Sequence, residues 1–156
     1  MPTVLIGLLL AATALSQGGC RNSEKASSVQ TDVPADLKII LGHNAAPAGR
    51  LMGYTIQGDG GAIRWEGKYP GENVEASGRL DEEAVRSLWK RIQEMGFLQM
   101  QQQVPGGVHW FVNVEANGDS RRVTWSRRDT AALTPVQQLY EDCRDLVEEA
   151  VRGSES

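Results

Sequence analysis

Residues 133–151, LTPVQQLYEDCRDLVEEAV, carry apolar side chains at the spacing of a single helix face. Val136, Leu139, Tyr140, Cys143, Leu146, Val147, Ala150 and Val151 share that face, and Glu141, Asp142, Asp145, Glu148 and Glu149 fall on the wet one. Thr134 as cap, Pro135 in the first turn and Gln137 three residues after the cap make a recognised helix start. A stripe this continuous cannot stay in water. Each large apolar side chain is worth roughly 1.5–3 kcal/mol on burial, so the face amounts to something on the order of 10 kcal/mol before ordering entropy is subtracted. The rest of the chain must therefore supply a second apolar layer.

That layer reads as strands. LKIIL (37–41) has the branched composition of a first strand, and HNAAPAGR (43–50) reads as a loop. GYTIQGDGGAIRWEGK (53–68) alternates on either side of Gly58-Asp59-Gly60-Gly61, which predicts an antiparallel hairpin. Tyr54, Ile56, Ile63 and Trp65 are expected on its one apolar face. NVEASGR (73–79) adds a short strand, with Val74 and Ala76 on one side. In HWFVNVEANGDSRRVTWS (109–126), Trp110, Val112, Val114 and Ala116 alternate outward of an Asn117-Gly118 turn, and Val123 and Trp125 return the pattern. Phe111 falls on the outer face, where it would pack beneath a loop or mark a contact surface. Between the hairpins, LDEEAVRSLWKRIQEMGF (80–97) starts at an Asp81 cap with Glu82 and Glu83 at the positive end of the helix dipole. Leu80 and Val85 suit a hydrophobic staple, and Gly96 supplies a left-handed stop. The fold class expected is α+β: an antiparallel sheet of four to six strands with two helices packed on one face.

The front of the chain has a different composition. Val4–Leu15 is an uncharged run of twelve residues, shorter than the roughly 20 needed to span a bilayer. Its length suits the apolar core of a secretory leader, although Met1–Thr3 carry no basic residue. LSQGGCRNSEK (15–25) resembles a bacterial lipoprotein signal, in which small residues, here Gly18 and Gly19, precede a cysteine that becomes the acylated first residue. The resemblance implies lipidation of Cys20. Residues 21–36, RNSEKASSVQTDVPAD, are polar and Ser-rich, as a flexible tether requires. The domain organisation expected is a signal peptide at 1–19, the lipidated cysteine and tether at 20–36, one domain at 37–152 and a disordered tail at 153–156. A cut after Ala12-Thr13-Ala14 is the alternative and would release a soluble secreted protein. An acylated Cys20 leaves Cys143 without an internal partner, whereas the secreted form would allow the two to pair. Arg21 stands where some lipoproteins carry the Asp that holds them at the inner membrane, so the resemblance points to the outer membrane.

Groups that would carry chemistry are sparse. The net charge of −4 argues against general nucleic-acid binding. His43 and His109 have no companion at metal-ligand spacing, no cofactor motif is present, and both histidines are expected to face solvent. Cys143 lies on the buried stripe, where a thiol is inert. The GDGG run lacks the Lys-Ser or Lys-Thr and the following helix of a phosphate loop. Arg121, Arg122, Arg127 and Arg128 are the one local excess of charge. They form a candidate surface for an acidic partner or anionic lipid headgroups, with the loops at Ala45–Arg50 and Gln99–Gly107 as further candidates.

From Leu37 to Val151 the order of these stretches is similar to small bacterial lipoproteins of unassigned function. It also resembles emfourin-type domains, some of which inhibit thermolysin-like metalloproteases. No inhibitory segment matches residue by residue. The function expected is a non-enzymatic, lipid-anchored cell-envelope domain that binds a protein or another envelope component. Inhibition of a secreted metalloprotease is the alternative, and a hydrolase using His43 or His109 comes third.

Overall fold

The computed structural model describes residues 32–45, 49–101, 109–126 and 134–154. Six strands follow the alternating segments: β1 (Lys38–Ala45), β2 (Arg50–Gln57), β3 (Gly61–Gly67), β4 (Val74–Arg79), β5 (Trp110–Ala116) and β6 (Asp119–Trp125). Two helices follow the 3.6-residue stripes: α1 (Glu82–Glu94) and α2 (Thr134–Ser154). The strands form one sheet in the order β4-β3-β2-β1-β5-β6, antiparallel at every pairing. β1 lies inside it, with a three-strand meander on one side and a hairpin on the other. The α+β class, the antiparallel sheet and the two helices on one face are as the sequence leads one to expect.

Local signals set the ends of α1. The Asp81 carboxylate accepts a 2.7 Å hydrogen bond from the Ala84 N–H, satisfying a donor that the first turn leaves open. Gly96 takes φ 64°, the left-handed conformation a side chain resists, and a short 3₁₀ turn, Phe97–Gln99, follows. Val85, Leu88, Trp89 and Ile92 from α1 meet Leu139, Cys143 and Val147 from α2 over Ile39, Leu41, Ile56, Val112 and Val123 of the sheet. α2 lies so close to β4 that a Cβ on Gly78 would come 2.5 Å from the Ala150 backbone.

Several expectations are corrected. Ile63 and Trp65 do not share a face with Tyr54 and Ile56. In the observed register Ile63 opposes Thr55 and Trp65 opposes Gly53, while Ile56 opposes Ala62 and Tyr54 opposes Arg64. A slip of one residue turns every side chain of a strand over, and here it carries Trp65 to the side away from the helices. There Trp65, Phe111 and Ile40 form a second buried cluster, with Leu51 and Ile63 against it. Val74 and Ala76 are also divided: the register shifts at Arg64/Trp65, so Ala76 opposes Arg64 and Val74 opposes Trp65. β1 continues through His43, Asn44 and Ala45, which were expected in a loop, because both β2 and β5 extend alongside it.

The boundaries move too. Asp36, expected in the tether, accepts hydrogen bonds from the Asn117 and Gly118 N–H groups, and Val33 packs against the core. Gly153 and Ser154, expected in the tail, end α2, where the Ser154 hydroxyl donates to the Ser77 carbonyl. That contact occupies an outward-facing acceptor of edge strand β4. At the other edge, Arg121 Nε of β6 donates to the Leu98 carbonyl at 3.2 Å.

Candidate functional site

The sheet has two unlike ends. At one, Leu37 and Asp36 lead into β1, the Gly58 N–H of the β2–β3 turn donates to the Leu37 carbonyl, and Asp81 starts α1. The carboxylate of Asp36 closes the β5–β6 turn at 2.9 and 2.8 Å, and these two hydrogen bonds, from Gly118 and then Asn117, hold it below the usual carboxylate range. The segment arriving from Cys20 enters here.

At the opposite end, the chain leaves β1 at Ala45 and returns at Arg50, turns between β3 and β4, re-enters the sheet at His109 and leaves β6 after Trp125. The loops singled out at 45–50 and 99–107 thus return to the sheet at one place. The three exposed large apolar residues among the described ones are found here as well: Tyr69 at 70%, Val74 at 53% and Met52 at 38%. Arg50 pairs with Glu66 at 3.0 Å beside them, and Lys68 is exposed.

Tyr69 is held on an ordered turn. The Glu72 carboxylate accepts from the backbone N–H groups of Lys68 and Tyr69, and the Glu72 N–H donates to the Tyr69 carbonyl at 3.2 Å. Asn73 then bonds Glu66 twice: Nδ2 donates to its carbonyl at 2.8 Å, and the Asn73 carbonyl accepts from its N–H at 3.0 Å. Sequence reasoning missed this feature. The signal was Lys68-Tyr69-Pro70-Gly71, an aromatic residue inside a stretch whose Pro and Gly mark a turn.

The histidines behave unequally. His43 faces the helices, half-buried, with Nδ1 in a 3.2 Å hydrogen bond with Tyr140 Oη, and the Trp110 and Trp125 rings lie against this pair. Burial lowers the His43 pKa and raises that of Tyr140, so both are neutral at pH 7. His109 opposes Asn44, one position along, and so belongs to the other face. The two histidines do not meet, and the solvent-facing expectation for His43 is corrected.

The arginine surface is also divided. Arg121 and Arg122 are consecutive in β6 and face opposite sides of the sheet. Arg121 holds the 3₁₀ turn, and the Arg122 guanidinium lies 3.9 Å above the Phe111 ring, where burial lowers its pKa. Arg127, Arg128 and Cys20 lie outside the described residues. Cys143 is fully enclosed by core residues, which pushes its thiol up to about 12. On α2, Glu148 and Asp142 are not simply wet: Glu148 accepts from Tyr54 Oη at 2.9 Å and pairs with Arg64 at 3.1 Å, and Asp142 pairs with Arg91 of α1. Burial first, then the Glu148 hydrogen bond, raises Tyr54 to about 12.

Among the described residues, no group of three His, Cys, Asp or Glu side chains is placed to hold a metal ion, and no helix is long and apolar enough to cross a membrane. No protein-family model matches the chain, and no curated protein matches it.

Proposed function

We propose that this protein is a lipid-anchored binding domain of the bacterial cell envelope, acylated at Cys20, that works through the Tyr69 end of its sheet. The observation that carries the reading is the opposition of the two ends. The chain from Cys20 joins the fold beside Asp36, whereas Val74 and Met52 stand level with Gly42 and His43, roughly 13–17 Å further along the sheet at ~3.3 Å per residue, and the Tyr69 turn lies beyond them. A domain tethered at one end leaves the other free to engage a partner. The enclosed Cys143 supports the same reading, because a disulfide to Cys20 would require α2 to lift from the core.

Metabolic labelling with a fatty acid tests the anchor. Label is expected in the wild type and absent from Cys20→Ser; label retained by Cys20→Ser overturns acylation at that residue.

The inhibitor reading draws on one observation, the ordered Lys68–Asn73 turn, which is a presented segment of the kind a cleft can receive. A panel of metalloproteases left uninhibited by micromolar protein would end it.

A further inference from the structure

We infer that Asn117 is a latent deamidation site and that Asp36 holds its reaction back. Asn117 and Gly118 are the central residues of the β5–β6 turn, between the paired Ala116 and Asp119. Both are exposed, so water reaches them. Their φ angles, 54° and 77°, are positive, as a type I′ hairpin turn demands. An asparagine followed by glycine is also the pair that loses its side-chain amide most readily, because glycine has no Cβ to shield its backbone nitrogen. The reaction needs only water. The Gly118 N–H gives its proton to solvent hydroxide, and the nitrogen lone pair attacks Asn117 Cγ. An N–Cγ bond forms, the Cγ–Nδ2 bond breaks, and the amide nitrogen leaves as ammonia after taking a proton from water. Water then opens the cyclic imide at either carbonyl, giving aspartate or isoaspartate.

The fold obstructs that path in two ways. The nitrogen that must attack is already engaged: Gly118 N–H donates to Asp36 Oδ2 at 2.8 Å, and Asn117 N–H donates to Oδ1 at 2.9 Å. A carboxylate in that position disfavours loss of the Gly118 proton, because the resulting anion would face a second negative charge. The same pair of hydrogen bonds fixes the turn. In a type I′ turn ψ of the first central residue is about +30°, the mirror image of type I. That value sets the Gly118 nitrogen across the Cα–C bond from Cβ, whereas ring closure needs the two on the same side. Asp36 is itself held in place. Its neighbour Leu37 is buried, donates its N–H to the Pro34 carbonyl at 3.0 Å and accepts from Gly58 N–H at 2.8 Å. The residue at which the chain from Cys20 enters the fold therefore guards the turn. Either product would disturb that entry: aspartate sets a like charge beside Asp36, and isoaspartate lengthens the backbone of a tight turn.

Peptide mapping by mass spectrometry of the full-length chain, incubated at neutral pH, tests this. Conversion at Asn117 is followed in the native wild type, in the same chain unfolded in urea, and in native Asp36→Ala and Asp36→Asn. Asn22, which is followed by Ser23, serves as the internal reference. The native wild type is expected to convert more slowly than the unfolded chain. Asp36→Ala should convert about fivefold faster than the native wild type, from the loss of the hydrogen bonds that hold the turn. Asp36→Asn keeps a neutral acceptor and should show a smaller rise, and conversion at Asn22 should be the same in all native samples. Native wild type that converts at the unfolded rate overturns the inference, as do Asp36 variants that both convert at the wild-type rate. Circular dichroism checks that each variant keeps the fold. Should Asp36→Ala lose it, Asp36→Asn decides alone, and a wild-type rate in that variant overturns the inference.

Discussion

The two faces of the sheet are built on different plans. The helix face is covered by two amphipathic helices, and its aliphatic side chains share burial among many neighbours. The other face relies on Trp65, Phe111 and Ile40, with glycines taking part in the packing. The Trp65 ring lies where a Cβ on Gly53 would fall, 2.5 Å from the would-be atom. Phe111 stands in the same relation to Gly42, 3.0 Å away, with the Arg122 guanidinium on its outer side. Trp65 Nε1 donates to Thr55 Oγ1 at 3.1 Å, so the indole is fixed in orientation as well as buried. Helices can bury a sheet face by covering it; without them, large rings laid over missing side chains achieve comparable exclusion of water.

The largest expected effect is on the ring itself. Trp65→Ala should destabilise by ~3–5 kcal/mol in chemical denaturation. On the helix face, Leu139→Ala should cost ~2–5 kcal/mol. The two should differ in where they act: amide exchange should quicken first in β2 and β3 for Trp65→Ala and in α2 for Leu139→Ala. Identical exchange patterns would show that the faces are one cooperative core, and the distinction would collapse.

Next comes Gly53→Ala. The new methyl meets the Trp65 ring and, at 2.2 Å, the Leu41 carbonyl, so about 1–3 kcal/mol should be lost. In a double variant with Trp65→Ala the losses should sum to less than the singles, because one obstruction is gone while the carbonyl remains. Strict additivity would mean the ring and the glycine do not constrain each other.

A smaller effect is expected for Arg122→Ala, ~0.5–1 kcal/mol from the lost cation–π contact of a half-buried guanidinium on the buried Phe111 ring.

The smallest concerns pH. His43 lies on the helix face with its pKa lowered by burial, so the unfolded chain binds a proton more readily than the folded one. Stability is then greatest above the ordinary histidine value of about 6.5 and declines as pH falls from there toward the folded value. His43→Gln should flatten that slope in denaturation curves recorded between pH 7 and pH 5. An unchanged slope would place its origin in another group.

Periodicity alone determined much of this molecule. Both helices, the Asp81 cap, the Gly96 stop, the hairpin strands and the outward turn of Phe111 are written in local patterns of 3.6 and two residues, enforced by backbone geometry and capping. The inertness expected of Cys143 follows from the same stripe. Tertiary structure alone decided which side of each strand faces the helices. Alternation states that residues take turns, but the register across the Gly58–Gly60 turn selects the face, and a single step moved Trp65 and Ile63 to the far side. It also decided the candidate site. Met52, Tyr69 and Val74 are separated along the chain and carry no shared motif, so only strand pairing, a long-range and cooperative choice, brings them to one end, opposite the point where the segment from Cys20 arrives.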